Sequence, residues 1–281
     1  MAEDLTAPEA EQPAQAETPP SPVAARKHIA LDSESPEHFR HQFRFVYVVL
    51  AVGLAAAIAG AILAAGSSIT GSTAWSSWKP DTGGLSAARQ IAQHVAPSYR
   101  LPGGAQLVDV IAKEPSVTPG TTTIPVHYLA VRETKAQGGD QILSISSSNS
   151  VMFSMCGLGP SCSIATGTPS VARGRLVRRE ILELALYTFK YVGGIKNVIA
   201  FMPPQPGSTP QYVVYLRKDD LSSELRQPLD ETLAAKTPLA SAIPAKEVRT
   251  VDATTESRTF SFSLSQAQQG DAILVLAPLK A

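Results

Sequence analysis

Cysteine is scarce in this sequence, since its 281 residues include only Cys156 and Cys162. A structural zinc site would need two ligands besides these thiolates, and the chain after residue 85 offers only His94 and His127, which fit structural roles. The C-x5-C spacing also differs from the C-x-x-C pattern of thiol oxidoreductases. We therefore expect no metal site and no cofactor, and the two cysteines are left as a structural disulfide, a redox pair or free thiols.

An excess of charge of either sign is also missing, because 24 basic residues balance 24 acidic ones. The charge is nevertheless unevenly distributed. Residues 1–44 contain eight acidic and four basic side chains, so they carry a net −4 and the remainder of the neutral chain carries +4. So small a positive charge, expected outside the cytosol, argues against nucleic acid as a partner.

Residues 1–44 have almost no large apolar side chains before Ile29 and contain six prolines among Ala, Glu and Gln. Such a segment cannot bury enough apolar surface to offset the entropy lost on ordering. We interpret residues 1–44 as a disordered tail.

The 21 residues at 45–65 lack any charged or strongly polar side chain. As a helix they would be roughly 31 Å long, which matches a hydrocarbon core of about 30 Å. Arg40 and Arg44 precede this segment, whereas the first charge after it is Lys79, so the tail is predicted to be cytoplasmic. The sequence thus predicts a single-pass membrane protein with the lipid bilayer as a partner. A cleaved signal peptide is the alternative, although the leader is too long for a usual one.

Residues 66–84 are rich in Gly, Ser and Thr, which is typical of a short stalk. Two tryptophans, Trp75 and Trp78, stand out in it. Indole rings favour the membrane interface, but these two could equally be the first core residues of the following domain.

Residues 85–281 have the alternating patterns of a globular domain. An apolar face at 3.6-residue spacing predicts a helix over 85–96, and a second, longer helix lies between two groups of strand-like segments. Strands with segregated helices indicate an α+β domain with a mostly antiparallel sheet and two main helices. The strand-like segments are 105–112, 122–132, 141–146, 151–156, 197–202 and 211–217, with a final hairpin after 258.

If this domain is extracytoplasmic, its thiols meet an oxidising environment, and Cys156 and Cys162 have only each other as partners. Two glycines and a proline lie between them, which lets the chain reverse tightly enough for a bond. A structural disulfide that pins a hairpin tip is the favoured interpretation.

Four arginines cluster at the start of the long helix, for which Thr168 is the expected N-cap. Like charges three and four residues apart are unfavourable, so something acidic is expected to compensate them. One possibility is an acid of the same fold, and the other is an anionic polymer or lipid headgroup of the cell envelope. The candidate anion-binding residues are Arg173, Arg175, Arg178 and Arg179.

Recognisable catalytic patterns are missing. Residues 76–79, 147–149 and 236–238 follow the order of motifs in penicillin-recognising serine enzymes, but Pro80 directly after the lysine is incompatible with the helix that such a motif opens. His94 and His127 fit structural roles, and no acid pair can be assigned among the carboxylates. The carboxylates considered are Asp109, Glu114, Asp140 and Glu180.

Several blocks are distinctive: WSSWKP, HVAPSYRLPGGAQLV, CGLG and RREILELALYTFKYV. Over roughly residues 75–280 they resemble uncharacterised single-pass membrane proteins of actinobacterial type with an extracytoplasmic domain. The group has no assigned activity, so the resemblance implies a topology and no chemistry.

These observations favour a non-enzymatic, membrane-anchored protein whose extracytoplasmic domain binds an envelope protein, an anionic polymer or a lipid headgroup. The alternative is an envelope hydrolase or transferase. A deep cavity where His94 or His127 meets a carboxylate would favour the enzyme, whereas a shallow arginine-bearing surface would favour binding.

Overall fold

Nine strands and four α-helices make up the part of the chain described by a computed structural model. The described residues are 74–118, 122–134, 139–267 and 271–279, and they belong to one compact unit, Gly71–Ala281. The predicted tail at 1–44, the predicted span at 45–65 and the first part of the predicted stalk lie outside the described residues.

The helices and strands have the following bounds. The helices are α1 (Gly84–Val95), α2 (Val171–Tyr191), α3 (Leu229–Thr232) and α4 (Ala245–Thr255). The strands are β1 (Asp109–Lys113), β2 (Ser116–Val117), β3 (Ile124–Thr134), β4 (Asp140–Ser146), β5 (Ser150–Cys156), β6 (Asn197–Phe201), β7 (Tyr212–Arg217), β8 (Thr259–Gln266) and β9 (Ala272–Pro278).

All nine strands belong to one sheet with the order β1-β5-β6-β7-β8-β9-β3-β2, and β4 also pairs with β3. Strands β5 and β6 run parallel, with Val151 opposite Val198, and β3 runs parallel to β9, with Leu129 opposite Leu274. A parallel pair needs a crossover connection, and α2 supplies it between β5 and β6. The remaining pairings are antiparallel.

Both faces of the central strands are covered. On one face, α1, α2 and α4 enclose a core that includes Phe153, Leu184 and Leu216. On the other face, residues of β6 and β7 pack against β3, β8 and β9 in a second core. The sheet therefore folds over on itself, and strands such as β6 are apolar on both faces because neither face meets water.

The predicted fold class needs correction. The described region is an α+β domain, but its sheet is mixed and three helices, not two, have eleven residues or more. Within the described residues, no helix combines the length and apolarity that a membrane crossing requires. The longest, α2, has 21 residues but carries the four arginines. The predicted fold class is therefore wrong in its two main helices, and the mostly antiparallel sheet that was predicted also contains two parallel pairings, β5 with β6 and β3 with β9.

The tryptophan pair packs on the domain. Trp75 is buried in the helical core against the rings of Tyr187 and Tyr191, and its carbonyl accepts a hydrogen bond from Leu229 at 2.7 Å. Trp78 stacks on the imidazole of His94 with ring centroids 4.0 Å apart. Trp75 is therefore a core residue of the domain, which was one of its two predicted roles, and not a residue of the membrane interface.

The predicted disulfide between Cys156 and Cys162 is confirmed, with Cα atoms 4.3 Å apart at the end of β5. The enclosed loop is tight because the Gly157 N–H donates to the Cys162 carbonyl at 2.9 Å. A side chain at Gly157 would place its first carbon 2.5 Å from the Ser163 carbonyl oxygen, so glycine is required there.

Candidate functional site

Two of the four candidate arginines pair with a single carboxylate on helix α4. The guanidinium of Arg175 contacts the Asp252 carboxylate at 2.8 Å, and Arg178 binds the same carboxylate and donates to the Thr255 hydroxyl at 3.0 Å. These contacts hold the pKa of Asp252 below its usual range, chiefly through the hydrogen bond from Arg175. The expected internal acid is therefore present for Arg175 and Arg178.

Arg179 is fully buried in a separate polar cluster. Its guanidinium donates to Glu247, to the hydroxyl of Tyr99, to Glu183 at 3.1 Å and to the Ala234 carbonyl at 3.0 Å. Burial disfavours the charged form of Arg179, but the surrounding groups, with Tyr99 foremost and the two glutamates next, outweigh it and raise its pKa. Arg179 is thus a structural residue and is not accessible to a ligand.

Glu180, the next residue, is buried without a hydrogen bond to either carboxylate oxygen within the part of the chain that the structure describes. Burial raises the pKa of Glu180 well above its ordinary value, and the charges of Glu183 and Asp109 raise it further, against the opposing effect of Arg179. Burial therefore favours the uncharged form of Glu180 in the folded chain. No cavity reaches it among those described, so it does not form a site with Asp109.

Arg173 differs from the other three arginines. Its side chain is only 8% exposed, yet its one contact in the described residues is a hydrogen bond to the Thr166 carbonyl, and no carboxylate pairs with it. Burial accordingly lowers the pKa of the Arg173 guanidinium, with no acidic group to offset it. A guanidinium with no counter-charge in the described part of the chain, on a side chain that is mostly buried, thus lies at the start of α2.

Local geometry explains why Arg173 lies there. The hydroxyl of Ser170, not the expected Thr168, caps α2 by accepting from the Arg173 N–H at 3.2 Å. Gly167 has a left-handed backbone with φ of 72°, and a side chain there would lie 3.1 Å from the Arg173 guanidinium. The cap and the glycine together fix the backbone and leave room for the arginine head.

A cavity of about 300 Å³ opens beside Arg173. One wall is formed by the first turns of α2, where the N–H groups of Arg173 and Gly174 donate to the hydroxyl and the carbonyl of Ser170, and where the helix dipole is positive. The facing wall is the proline-rich connection between β6 and β7, which sequence patterns gave no reason to select. The lining residues are Ile164, Pro169, Ser170, Arg173, Gly174, Val177, Met202, Pro203, Pro204, Gln205, Ser208, Thr209, Gln211 and Tyr212. None of these residues is acidic.

His127 lies in a second cavity of about 500 Å³, which several serines also line. Its Nδ1 is 3.8 Å from Asp271, too far for a hydrogen bond, and both side chains are substantially exposed. The Ser147 hydroxyl donates to the Val126 carbonyl, not to His127. This arrangement does not supply the nucleophile, base and orienting acid of a hydrolase. The hydrolase or transferase alternative thus stays a prediction without geometric support at His127.

The remaining candidate residues are dispersed. The Ser76 hydroxyl is hydrogen-bonded to Tyr191 at 2.7 Å and to the Trp78 carbonyl, so it is engaged in packing. Asp140 lies 3.9 Å from Arg132 on the surface hairpin of β3 and β4, and Glu114 lines a cavity without a partner acid. Among the described side chains, no group of three His, Cys, Asp or Glu residues is arranged to hold a metal ion.

Comparisons with known proteins gave no match to a family model, to a curated protein or to a solved structure. The resemblance to actinobacterial membrane proteins stays a prediction.

Proposed function

We propose that this domain is a non-enzymatic binding module that works outside the cytosol and recognises the anionic group of an envelope component in the Arg173 cavity. The observation that carries the proposal is the buried, acid-free guanidinium at the wall of an open cavity. The predicted partners, an envelope protein, an anionic polymer or a lipid headgroup, each offer a carboxylate or phosphate.

Energetics support a ligand at this position. Burying a charge without a partner costs several kcal/mol, and the fold provides acids for Arg175, Arg178 and Arg179 but none for Arg173. An arginine binds carboxylate or phosphate through two parallel N–H donors, which a single carbonyl contact does not use. A bound anion would supply the missing counter-charge and lie near the positive end of the α2 dipole.

The Cys156–Cys162 disulfide supports the proposed location, because disulfides persist in oxidising compartments and are rare in the cytosol. Ile164, which lines the cavity, follows Cys162 by two residues and is bridged to Leu158 inside the closed loop. The bond would therefore help to hold this part of the cavity wall.

Calorimetric titration of the full 281-residue chain with inorganic phosphate and with acetate tests the proposal. We expect measurable binding to at least one anion, and about tenfold weaker binding in Arg173→Gln because a charge-assisted hydrogen bond is lost. Arg226→Gln is the matched control, since Arg226 is exposed and does not line the cavity. Equal affinity in the wild-type chain and Arg173→Gln would contradict the proposal.

A further inference from the structure

A third cavity, of about 600 Å³, adjoins the Arg173 cavity. The two share three lining residues, Met202, Pro204 and Thr209, so they lie on either side of the same short stretch of the β6–β7 connection. We define this third cavity as the apolar groove. It is lined by Lys113, Ser116, Val117, Thr118, Ser154, Met155, Ser161, Cys162, Phe201, Met202, Pro204, Thr209, Pro210, Phe262 and Leu264.

The chemistry of the apolar groove differs from that of the Arg173 cavity. Its broad surfaces come from Phe201 and Phe262, whose rings meet edge to face at 4.8 Å, and from two methionines and the disulfide loop. Leu264 lines it and is 45% exposed, although it lies on the same face of β8 as the buried Phe260. Its two prolines offer no N–H donor to a bound backbone.

The groove sits where the folded sheet is open. Ser154 and Phe201 are opposite each other on the parallel strands β5 and β6, and Phe262 and Leu264 come from β8 beyond its last pairing with β7 at Ser261. The apolar surface is therefore continuous with the second core and ends beside the buried charge at Arg173.

We infer that the ligand is an amphiphile with one anionic head and an aliphatic chain, the head at Arg173 and the chain in the apolar groove. This inference rests on the proposed function and adds the chemical class of the ligand. Among the described residues, two basic ones line the cavities, Arg173 in one and Lys113 in the groove, and no acidic one lines either. We place the head at Arg173 because it is the more buried of the two cations and no described carboxylate pairs with it. Methionine side chains adapt to a flexible chain better than rigid side chains do.

The contribution of the aliphatic chain of the ligand to its binding affinity gives the first test. Each buried methylene strengthens binding about fourfold, so burial of only three or four of the additional methylenes of decanoate is expected to make it bind roughly 100-fold more tightly than acetate. Decyl phosphate should show the same gain over inorganic phosphate, and the tighter of the two amphiphiles identifies the head. Calorimetry below the micellar concentration of each amphiphile measures all four affinities.

Two variants test the binding of the anionic head and of the aliphatic chain of the ligand separately. Arg173→Gln should weaken decanoate about tenfold and leave 1-decanol unchanged, because only the acid uses the guanidinium. Leu264→Asp should weaken decanoate and not acetate, because it places a charge in the groove. Leu239→Asp is the matched control, since Leu239 is 41% exposed and lines neither cavity.

The outcomes distinguish the two proposals. Decanoate bound no more tightly than acetate, or a free-acid tetraleucine peptide bound more tightly than decanoate, would overturn the aliphatic assignment and leave anion binding at Arg173 intact. Decanol bound as tightly as decanoate, with no effect of Arg173→Gln on either, would overturn the anion proposal itself.

Discussion

At the scale of single residues, Arg179 and Arg173 show how one helix uses the same side chain in two ways. Both are more than nine-tenths buried on α2. Arg179 is surrounded by acceptors that include Glu247 and Glu183, whereas Arg173 contacts one backbone carbonyl. The difference makes Arg179 a residue of the core and Arg173 a residue with unused donors.

Replacing Arg179 with methionine is expected to lower the free energy of unfolding by about 3–5 kcal/mol, because it leaves Glu247 buried and unpaired. Urea denaturation followed by circular dichroism measures the loss. Arg175→Met is the matched control on the same helix, and it should cost about 1 kcal/mol because that ion pair is partly exposed. Similar losses in the two variants would contradict a special role for the Arg179 cluster.

The raised pKa of Glu180 predicts that its contribution to folding stability changes with pH in the opposite direction to that of a salt-bridged acid. Because its pKa is raised in the folded state, its favourable contribution is complete below the ordinary value of 4.5 and is lost as pH rises through the folded pKa. Glu180→Met should therefore be more stable than the wild-type chain at pH 7.5, with a smaller gain at pH 4.

Denaturation of both proteins at pH 4 and pH 7.5 checks this expectation. The effect of Asp252, whose pKa is lowered, is common to both proteins and cancels in the difference. Glu231→Met, at an exposed position, should change stability by less than about 0.5 kcal/mol at either pH. A gain in Glu180→Met that is independent of pH would show that Glu180 does not titrate as described.

At the scale of elements, the long helix was predictable and its partners were not. The apolar spacing and the cap signals gave α2 closely, although Ser170 rather than Thr168 caps it. The like-charge pattern also gave a reason to expect an acid. The identity of this acid could not be predicted, because Asp252 is 77 positions from Arg175 and 74 from Arg178 in the sequence. Local sequence patterns carry no information at that separation.

The sheet shows the same limit. Alternation predicts which strands exist and which face is buried, but not which strands are neighbours. The mixed order arises because β5 and β6 are joined through α2 and because β9 returns beside β3. A helix between β5 and β6 is long enough to connect two parallel strands, but the strand patterns alone do not take this connection into account.

The disulfide loop is the element that joins the sheet to the candidate site. Replacing Cys156 and Cys162 with serine in one variant should lower the free energy of unfolding by about 2 kcal/mol, because a short closed loop is released in the unfolded chain. Thermal denaturation with and without reductant checks this: reductant should destabilise the wild-type chain and leave the variant unchanged. A wild-type chain that is equally stable in reductant would contradict it.

At the scale of the whole molecule, the two faces of the central strands differ in role. One face packs against helices, and the proposed binding site opens on the other. Helices cover one face completely, and the second half of the sheet covers the other except where β8 extends beyond β7. The apolar groove opens at that gap, and the Arg173 cavity lies beside it. The proposed ligand would thus bind at the one edge where the two cores and the disulfide loop meet.

The most direct test of anion recognition at Arg173 is to locate a bound amphiphile on the chain. The full-length protein is labelled with a decanoate-length fatty acid that carries a photoreactive diazirine on its chain, and the labelled peptides are identified by mass spectrometry. We predict labelling of residues 201–212 and 262–264, with a loss of about tenfold in Arg173→Gln but not in Arg226→Gln. Labelling that is confined to other segments would contradict the assignment of an amphiphile to the apolar groove. Labelling that is equal in Arg173→Gln and the wild-type chain would contradict anion recognition at Arg173.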